Sequence, residues 1–424
     1  MTTYDAIVAG AGPAGATAAR LLAERGASVL LLDRQRFPRD KPCGGGVTLR
    51  AATLQDLDLS RVIERTVYGA RFSLRLGPGF ERRFREPLTY MTQRCRLDAF
   101  LAERAAAAGA EFHDGETVRE IDLDIRGVGA QQGGIKPHAE PVRPGLAAPL
   151  QGVTVRTDRD SYNARVVIGA DGANGVVRRS LGLENGYEEA VALEGNLPFP
   201  DGIPEEWWEF VGLDLGGTAG GYGWVFPKGD HLNVGVGAWK YAAFTLRPKL
   251  AELSRRYAFD PARIEDLRGH HLPVRAAGAP IVRGPVALVG DAAGLVDPLS
   301  GEGIHMAFAS GRLAAEAAVA YLAGEASDMR TYQRAVDRRL QPELDVSRRL
   351  QELFHFAPPP YVALMRRSEK FWLFFCHLIR GEMTYLDFVR IIGPLRVAMD
   401  FFAVLAQRRR LARVAALGSR VRSS

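Results

Sequence analysis

The fold of this chain is decided by the stretch Gly10-Ala11-Gly12-Pro13-Ala14-Gly15. It follows an apolar run at residues 6–9, which predicts a strand, and it precedes residues 16–25, which predict a helix. Asp33 closes a second apolar run at residues 29–32. A strand, a glycine-rich turn, a helix, a second strand and a terminal acid are together typical of a dinucleotide-binding βαβ unit.

Each part of this motif has a physical task. Gly10 permits a tight turn, Gly12 lets the backbone approach a pyrophosphate, and Gly15 lets the helix pack close to the sheet. The free N–H groups and the positive dipole end of the helix, where Ala14 lies, favour phosphate. Asp33 lies where an acid accepts the ribose hydroxyls. We therefore predict a bound dinucleotide; the alternative is a glycine-rich helix start with no ligand.

The composition is that of an ordinary globular protein. Of the 424 residues, 47% are hydrophobic and 25% are charged, which is enough chain for two or three domains. Cys43, Cys95 and Cys376 are far apart and form no CxxC pair, which argues against a disulfide framework and a zinc site. We expect a reducing, cytoplasmic location, no metal and no nucleic-acid partner.

The sequence also bears on membranes. The first strand begins almost at the N-terminus, so we expect no signal peptide. No apolar run reaches the roughly 18 residues of a spanning helix, so we expect no transmembrane helix. The net charge is +6, and the part from Phe401 to Ser424 holds six arginines and no acid. This basic excess is either a solvated tail or a region attracted to anionic lipid or to a pyrophosphate-bearing substrate.

The pattern along the chain predicts interleaved domains. Weakly alternating residues indicate short strands at 70–74 and 83–85, and an alanine-rich helix spans 97–108 up to Gly109. Alternating residues with aromatics and glycines indicate an antiparallel sheet domain over 186–267. We predict that the nucleotide-binding domain comprises residues 1–66, 93–185 (with a mobile loop at 127–152) and 271–330. The substrate domain comprises 67–92 and 186–270, and residues 331–424 form a helical end.

Further motifs extend the nucleotide site. Arg94 begins the segment Arg94-Cys95-Arg96-Leu97-Asp98 at a helix start, where an arginine can meet a phosphate. Asp171 lies in the segment 169–175, directly after a predicted strand. Gly290 and Asp291 follow another predicted strand, and an aspartate at a strand end can accept a ribityl hydroxyl.

The glycines of the segment Pro298-Leu299-Ser300-Gly301-Glu302-Gly303-Ile304 precede a long alanine-rich helix. Backbone N–H groups of Gly303 and Ile304 at that helix N-terminus can stabilise negative charge on a reduced flavin ring.

In this order the motifs resemble those of the FAD enzymes that share the p-hydroxybenzoate hydroxylase fold. The matches run from residue 7 to about residue 320. The resemblance implies an α/β fold class, with a Rossmann-type FAD-binding domain, an antiparallel-sheet substrate domain and a C-terminal helical segment.

Within that group the chain resembles the geranylgeranyl reductase family. Lys41-Pro42-Cys43-Gly44-Gly45-Gly46 matches the family's KPCGGG segment, and Tyr222-Gly223-Trp224-Val225-Phe226-Pro227-Lys228 matches its YxWxFPK segment. The resemblance implies reduction of carbon–carbon double bonds in a prenyl chain by hydride from reduced FAD. Family members act on geranylgeranyl diphosphate, geranylgeranylated chlorophylls, archaeal-type ether lipids and prenylated quinones, and the motifs leave the choice open.

The resemblance also implies which residues form the site. The cofactor-binding residues it implies are Gly10, Gly12, Ala14, Gly15, Asp33, Arg34, Cys43, Gly44, Gly46, Arg94, Val118, Asp171, Gly290, Asp291, Gly301, Gly303 and Ile304. The substrate-binding residues it implies are Tyr222, Trp224, Phe226, Pro227 and Lys228, and the catalytic residues are Cys43 and Tyr222.

The residue types fit that chemistry, with alternatives. Tyr222, Trp224 and Phe226 alternate, so they point to one face of a strand and form either a cavity wall over the flavin or ordinary core. Lys228 either meets an anionic head group or is a solvated turn lysine. Cys43 either donates a proton or packs near the flavin ring.

The electron donor and the competing functions stay open at this stage. No second glycine-rich fingerprint follows a strand, so the donor is NAD(P)H bound transiently or a reduced, ferredoxin-like protein attracted by the basic surface. The alternative enzyme is an FAD-dependent aromatic monooxygenase of the same fold. A non-catalytic, flavin-binding scaffold on a membrane is the alternative from another class.

The amphipathic region 371–422 has two interpretations. Helices in a membrane interface carry arginines on one side and Phe, Trp and Leu on the other, which predicts peripheral contact with the inner face of the membrane. The other interpretation is a helical cap over the substrate cavity.

Overall fold

The computed structural model describes residues 1–123 and 152–422, with side chains as far as residue 415. The mobile loop predicted at 127–152 lies, except for Gly152, outside the described residues.

The described residues contain strands in three sheets. The strands are β1 (Thr3–Ala9), β2 (Val29–Leu32), β3 (Gly46–Thr48), β4 (Arg65–Val67), β5 (Gly69–Leu74), β6 (Phe80–Arg83), β7 (Thr89–Met91), β8 (Glu111–His113), β9 (Val118–Leu123), β10 (Val153–Thr157), β11 (Ser161–Gly169), β12 (Tyr187–Pro198), β13 (Phe210–Thr218), β14 (Gly221–Pro227), β15 (His231–Trp239), β16 (Glu265–Arg275), β17 (Val282–Arg283) and β18 (Val286–Leu288).

Helices cover the first sheet and form the C-terminal part. They are α1 (Pro13–Ala23), α2 (Leu49–Ala52), α3 (Arg94–Ala107), α4 (Val176–Ser180), α5 (Leu246–Arg256), α6 (Ile304–Leu322), α7 (Arg330–Arg339), α8 (Gln341–Phe356), α9 (Pro358–Arg367), α10 (Glu369–Arg380), α11 (Tyr385–Ile392) and α12 (Leu395–Arg422).

The first sheet is the Rossmann-type layer. Its order is β17-β18-β11-β1-β2-β8, and β1 runs parallel to β11 on one side and to β2 on the other. The antiparallel pair β9 and β10 extends it beside β11. Every residue of β2 and β18 is buried, which is why these strands are continuous apolar runs in the sequence. The predicted fold class is confirmed.

The second sheet is the predicted substrate sheet, in the order β16-β12-β15-β14-β13-β5-β6. Neighbouring strands from β12 to β16 pair antiparallel, but β13 pairs parallel with β5, which comes from a much earlier part of the chain. The strand predicted at 83–85 is wrong in position, because the residues paired with β5 are 80–83. Helix α5, which packs behind this sheet, was not predicted.

The long helix α6 holds the first domain together. Its sequence is rich in alanine, a strong helix former with little bulk. The chain therefore packs α6 directly against α1, so closely that a Cβ on Gly311 would overlap the carbonyl oxygen of Ala14. This contact fixes the start of α1, and with it the glycine turn.

The C-terminal helices follow α6 without a further sheet. Helix α9 packs on β5 and β13 of the substrate sheet, and α10 contacts β5 and β6 through Trp372, while α12 packs on α8. Within residues 1–123 and 152–422, no helix combines the length and apolar character needed to cross a bilayer.

Replacing Gly311 with alanine tests the contact between α1 and α6. The added methyl group must displace the backbone of Ala14, and overpacking of this kind costs about 1–3 kcal/mol. Alanine at an unhindered helix position would instead add roughly 1 kcal/mol of stability. We expect a lower midpoint of urea unfolding followed by circular dichroism. Gly152→Ala, at a glycine where an added Cβ would meet nothing within 4 Å among the described residues, is the control; a G311A midpoint equal to or above that of the wild type contradicts the packing argument.

Candidate active site

One continuous cavity of about 900 Å³ lies where the first sheet, the substrate sheet and the C-terminal helices meet. The glycine turn, the loop at residues 39–46 and the ends of β11 and β18 line its first part, which we call the cofactor half. Side chains from β5, β7, β13, β14 and α8–α11 line the other part, which we call the substrate half.

The backbone at the glycine turn has the predicted form. Gly10 has a φ of +108°, a value that favours glycine. A Cβ on Gly15 would overlap the carbonyl oxygen of Gly10, so the close packing predicted for Gly15 is confirmed. A Cβ on Gly12 would face the cavity, with the guanidinium nitrogens of Arg39 and Arg94 at 3.8 Å as its nearest neighbours.

Two arginines therefore flank the N-terminus of α1. Arg94 binds both carboxylate oxygens of Asp98 at 2.8 and 2.7 Å, and Arg39 binds the same carboxylate at 2.9 Å. Asp98 is fully buried, so it fixes both guanidinium groups. The sequence did not indicate Arg39 as a site residue, because its partner Asp98 lies on α3, far along the chain.

Asp33 lies next to this pair of arginines. Its carboxylate accepts the backbone N–H of Ala11 at 2.9 Å and that of Gln35 at 3.0 Å, and Arg39 lies 3.3 Å away. Arg34 is exposed at the rim and Val118 is buried, and both line the cofactor half.

Asp171 lines the cofactor half at the start of α4. Its Oδ2 accepts the backbone N–H of Val177 at 3.0 Å. Its Oδ1 is buried and has no hydrogen-bond partner within the described part of the chain. Burial raises the pKa of this carboxyl, against the hydrogen bonds from the α4 backbone that lower it.

Asp291 pairs with residues that the sequence did not single out. Lys41 Nζ lies 2.9 Å from its carboxylate, and His270 Nε2 lies 3.5 Å from it. Burial alone would raise the pKa of Asp291, but the attraction of Lys41, helped by the nearby His270, outweighs burial and holds this pKa well below its usual range. The neighbouring Gly290, Gly301, Gly303 and Ile304 also line the cavity.

The glycines of the loop at 41–46 are required by close contacts. A Cβ on Gly44 would lie 2.7 Å from the ring of Phe226. Gly45 has a φ of +64°, and a Cβ there would overlap the carbonyl oxygen of Thr92. The Sγ of Cys43 accepts the N–H of Gly45 at 3.3 Å, and Cys43 and Gly46 line the cavity.

Lys228 holds this loop in place. Its ammonium donates to the carbonyl oxygens of Gly44 at 2.6 Å and Thr92 at 2.9 Å. The alternative of a solvated turn lysine is wrong, because the residue is only 2% exposed. The predicted contact of Lys228 and Pro227 with substrate finds no support either, since both are buried and neither lines the cavity.

The three alternating aromatics form one wall of the cavity. Neighbouring ring centroids are 6.0 Å apart for Tyr222 and Trp224 and 6.2 Å apart for Trp224 and Phe226, and all three residues line the cavity. The Trp224 indole covers Gly235 on the next strand and donates to Asn233 Oδ1 at 2.8 Å. The hydroxyl of Tyr222 donates to the carbonyl oxygen of Ser300 at 2.6 Å.

Sequence reasoning missed Glu194, an acid of the substrate sheet. On β12 it lies opposite Gly235, which in turn lies opposite Trp224, so it shares the face of the aromatic wall. It lines the cavity and is 6% exposed. Burial raises its pKa to about 7, although attraction by Lys228 and the backbone N–H of Cys43 lower it. A lone acid in an alternating strand gives no local signal of this environment.

The C-terminal helices close the substrate half. Their contribution is mostly aromatic and aliphatic: Leu350, Phe354, Tyr361, Val362, Met365, Phe371, Phe374, Phe375, Leu378, Ile379, Tyr385 and Phe388. The cap interpretation of the region 371–422 therefore agrees with the structure for residues 371–388, whereas no residue of α12 whose side chain is described lines the cavity.

The chain is similar in sequence to FAD-binding proteins and to reductases of known name. A family model described as an FAD binding domain matches residues 3–200. The geranylgeranyl diphosphate reductase of Oryza sativa chloroplasts is 31% identical over 82% of this chain and 74% of its own length. The menaquinone reductase of Mycolicibacterium smegmatis is 33% identical over 74% of this chain and 76% of its own.

Solved structures show the same fold. A geranylgeranyl bacteriochlorophyll reductase-like protein of Thermoplasma acidophilum aligns with a TM-score of 0.70 at 23% identity, covering 92% of this chain and 99% of its own. A flavin-dependent brominase aligns with a TM-score of 0.66 at 19% identity, covering 90% and 94%. At these identities the likeness concerns the fold alone.

The residues of the cofactor half fit FAD. Two guanidinium groups and the free N–H groups of the α1 start face the space beside Gly12, which suits a pyrophosphate. The carboxylates of Asp33 and Asp291, and the Oδ1 of Asp171, which no described residue binds, are acceptors that suit hydroxyl groups. Arg39, Arg94, Asp33, Asp171 and Asp291 are thus the residues that would hold the cofactor.

Replacing Arg39 with methionine tests this assignment. Asp98 keeps Arg94 as its partner, so the main loss is one charged donor beside the pyrophosphate. Such hydrogen bonds contribute about 1.5–3 kcal/mol, so the Kd for FAD in a fluorescence titration of the apoprotein should rise about tenfold or more. Arg36→Met, at an exposed arginine that does not line the cavity, should leave the Kd unchanged. An R39M Kd equal to that of R36M contradicts the assignment.

Proposed function

The chain belongs to the geranylgeranyl reductase family of FAD-dependent oxidoreductases, and we propose that it reduces carbon–carbon double bonds in the prenyl chain of an isoprenoid lipid. Relatives at similar identity bear the names geranylgeranyl diphosphate reductase and menaquinone reductase. The observation that carries the proposal is the continuity of the cavity, in which an apolar substrate half opens directly onto the cofactor half.

The polarity of the two halves favours a substrate whose buried part is uncharged. Arginines and lysines line the cavity only in the cofactor half, as far as the described residues show: Arg34, Arg39, Lys41, Arg94 and Arg268. In the substrate half, burial lowers the pKa of His355 to about 4, so it is neutral at pH 7. A diphosphate would lack a cationic partner there. We propose that the prenyl chain enters this half and that the head group stays outside it.

When bound, reduced FAD supplies the hydride for the double bond. The wall of Tyr222, Trp224 and Phe226 orients the chain on one side, and the aromatic residues of α10 exclude water on the other. Positioning of this kind contributes several kcal/mol to a reaction that has no polar group to bind. The donor to the flavin is, in our proposal, NAD(P)H or a reduced ferredoxin, in the cytoplasm.

The reaction also needs a proton at the carbon that does not receive hydride. The sequence offered Cys43 as a proton donor, and the family resemblance implied Tyr222 as a second catalytic residue. The Tyr222 proton is held by the Ser300 carbonyl, and burial raises its pKa above its ordinary value. We propose Glu194 as the residue that holds the proton, because its carboxyl faces the Cys43 backbone from the cavity wall.

Electrostatics supports a proton on Glu194 at neutral pH. Burial raises the pKa of the acid to about 7, so a substantial fraction of it is protonated at neutral pH, and the carboxylate left after proton transfer would be stabilised by the Lys228 ammonium. Burial lowers the pKa of that ammonium to about 8, against the attraction of Cys43, Glu64 and Glu194, so it keeps its charge at pH 7. Asp40 and Arg94 also act on Glu194, and their effects on its pKa have opposite signs.

The proposed reaction is tested by mass spectrometry of lipid extracts. The dithionite-reduced holoprotein is incubated without oxygen with geranylgeranyl diphosphate, a prenylated quinone and a geranylgeranylated lipid in parallel. After the quinone ring has been reoxidised in air, we expect mass gains in steps of two hydrogens in the prenyl chain of the quinone or the lipid, and less on the diphosphate. No gain on any of them, together with hydroxylation of an aromatic compound in air, would contradict the proposal and indicate a monooxygenase.

Glu194→Gln tests the proton source. A protonated Glu194 is present below its pKa of about 7 and is lost as the pH rises above it, so wild-type single-turnover reduction should slow above pH 7. The E194Q rate should be at least about tenfold lower and should lose this pH dependence, with FAD content unchanged. Glu189→Gln, on the same strand but paired with Lys240 outside the cavity, is the control. An E194Q pH profile like that of E189Q contradicts the assignment.

A further inference from the structure

Helices α11 and α12 expose an unusual number of large apolar side chains. We call this set the α11–α12 face: Ile391, Leu395, Val397, Phe401, Phe402, Val404 and Leu411. Phe401 is 65% exposed and Val397 is 71% exposed. Outside this segment, exposed large apolar residues are mostly scattered singly along the described chain, which is normal for a soluble surface.

The face is the outer side of a helix that is already docked. Helix α12 packs on α8 through Ala403 and Ala406, which are buried, and through Arg410, which pairs with Glu352 at 2.8 Å and Glu188 at 3.2 Å. Val397, Phe401 and Val404 recur every three or four residues, so they lie on one side of the helix, away from this contact. Nothing in the described chain covers that side.

The charge around the face is positive. The acids of this segment are paired with arginines, Asp387 with Arg390 at 2.8 Å and Asp400 with Arg349 at 3.0 Å. In contrast, Arg396, Arg408, Arg409 and Arg413 have no acidic partner within the part of the chain that the structure describes. Apolar side chains with unpaired arginines beside them are complementary to the headgroup region of an anionic bilayer.

The face is also continuous with the cavity. Tyr385 and Phe388 of α11 line the substrate half, and Ile391, one turn beyond Phe388, belongs to the exposed face. One short helix thus connects the buried apolar space with the unpartnered apolar surface.

From these observations we propose that the α11–α12 face docks on the surface of an anionic phospholipid bilayer. The docking itself follows from exposure and charge. The further step, that a prenyl chain passes from the bilayer along α11 into the substrate half, rests on the proposed function.

A second copy of this chain is a less favourable occupant of the same face. A two-fold symmetric contact brings identical patches together, so the unpaired arginines of one copy would meet those of the other. Such a contact would desolvate like charges, whereas lipid phosphates would neutralise them.

Vesicle sedimentation of the full-length holoprotein tests the docking. The probes are vesicles of phosphatidylcholine alone and of phosphatidylcholine with phosphatidylglycerol. We expect binding to the second kind, weakening as salt shortens the range of the attraction. The double variant Phe401→Glu, Val404→Glu should bind at least about tenfold more weakly. Phe244→Glu changes a phenylalanine that is 78% exposed beside α5 and should bind like the wild type.

A charge variant and a size measurement make the outcome decisive. Arg408→Gln with Arg413→Gln leaves the apolar residues in place and should also weaken binding to the anionic vesicles. Equal sedimentation of all variants would overturn the proposal. Analytical ultracentrifugation gives a second outcome that would overturn it: the wild type is a dimer, and the double variant is a monomer that still binds vesicles. The face would then be an interface between copies.

The entry route is tested separately from the reaction. With a prenyl substrate dispersed in detergent, the double variant should reduce at the wild-type rate, and with the substrate embedded in anionic vesicles it should be slower. Equal rates in vesicles would overturn the route. If the wild type reduces no substrate in either form, the proposed function fails, while the sedimentation result still decides the docking.

Discussion

The position of the two halves of the site relative to each other depends on the buried ammonium of Lys228. It comes from the end of β14 in the substrate sheet, and it binds carbonyl oxygens of Gly44 in the cofactor loop and Thr92 after β7. An unpaired ammonium at this depth would cost several kcal/mol, so the chain cannot release these carbonyls without finding other partners for the charge. The loop that carries Cys43 is therefore fixed to the aromatic strand.

Lys228 also acts on Glu194. The same ammonium that orients the loop attracts the carboxyl of Glu194 and limits how far burial raises its pKa. Structural and electrostatic tasks are thus combined in one side chain. A lysine in this environment differs from the arginines around Asp98, whose fixed planar geometry suits a pyrophosphate site.

The sequence was informative where function depends on neighbouring residues. The glycine turn, its flanking strands and the alternating aromatics are local patterns, and the backbone agrees with them at Gly10, Gly15 and Trp224. The contacts of Arg39 with Asp98, and of Lys41 with Asp291, join residues that are far apart in sequence, so no spacing rule could pair them. The buried position of Lys228 was in neither of the two alternatives drawn from the sequence, an anionic head group or a solvated turn, because its partners are carbonyl groups in other segments.

Strand pairing is a second feature that the sequence did not predict, as shown by the parallel pair of β5 and β13 and by the position of β6. Alternation predicts that a strand exists, but pairing is decided by which segment reaches the edge of the sheet. The cap over the cavity was also open from sequence, because a helix that covers a prenyl site and one that lies on lipid have similar apolar faces. Packing separated them, since α8–α11 line the cavity and the part of α12 with described side chains, up to residue 415, does not.

The contact of Trp224 with Gly235 has a consequence for how the shape of the cavity can change. The indole lies directly against the backbone of Gly235, so a larger residue at 235 would displace the indole from its place in the wall. The opposite side is lined by separate aromatic and aliphatic side chains of α9 and α10, each of which can be exchanged for a larger or smaller one without meeting backbone in this way. Substitutions on these helices are therefore the simplest way to change the width of the substrate half.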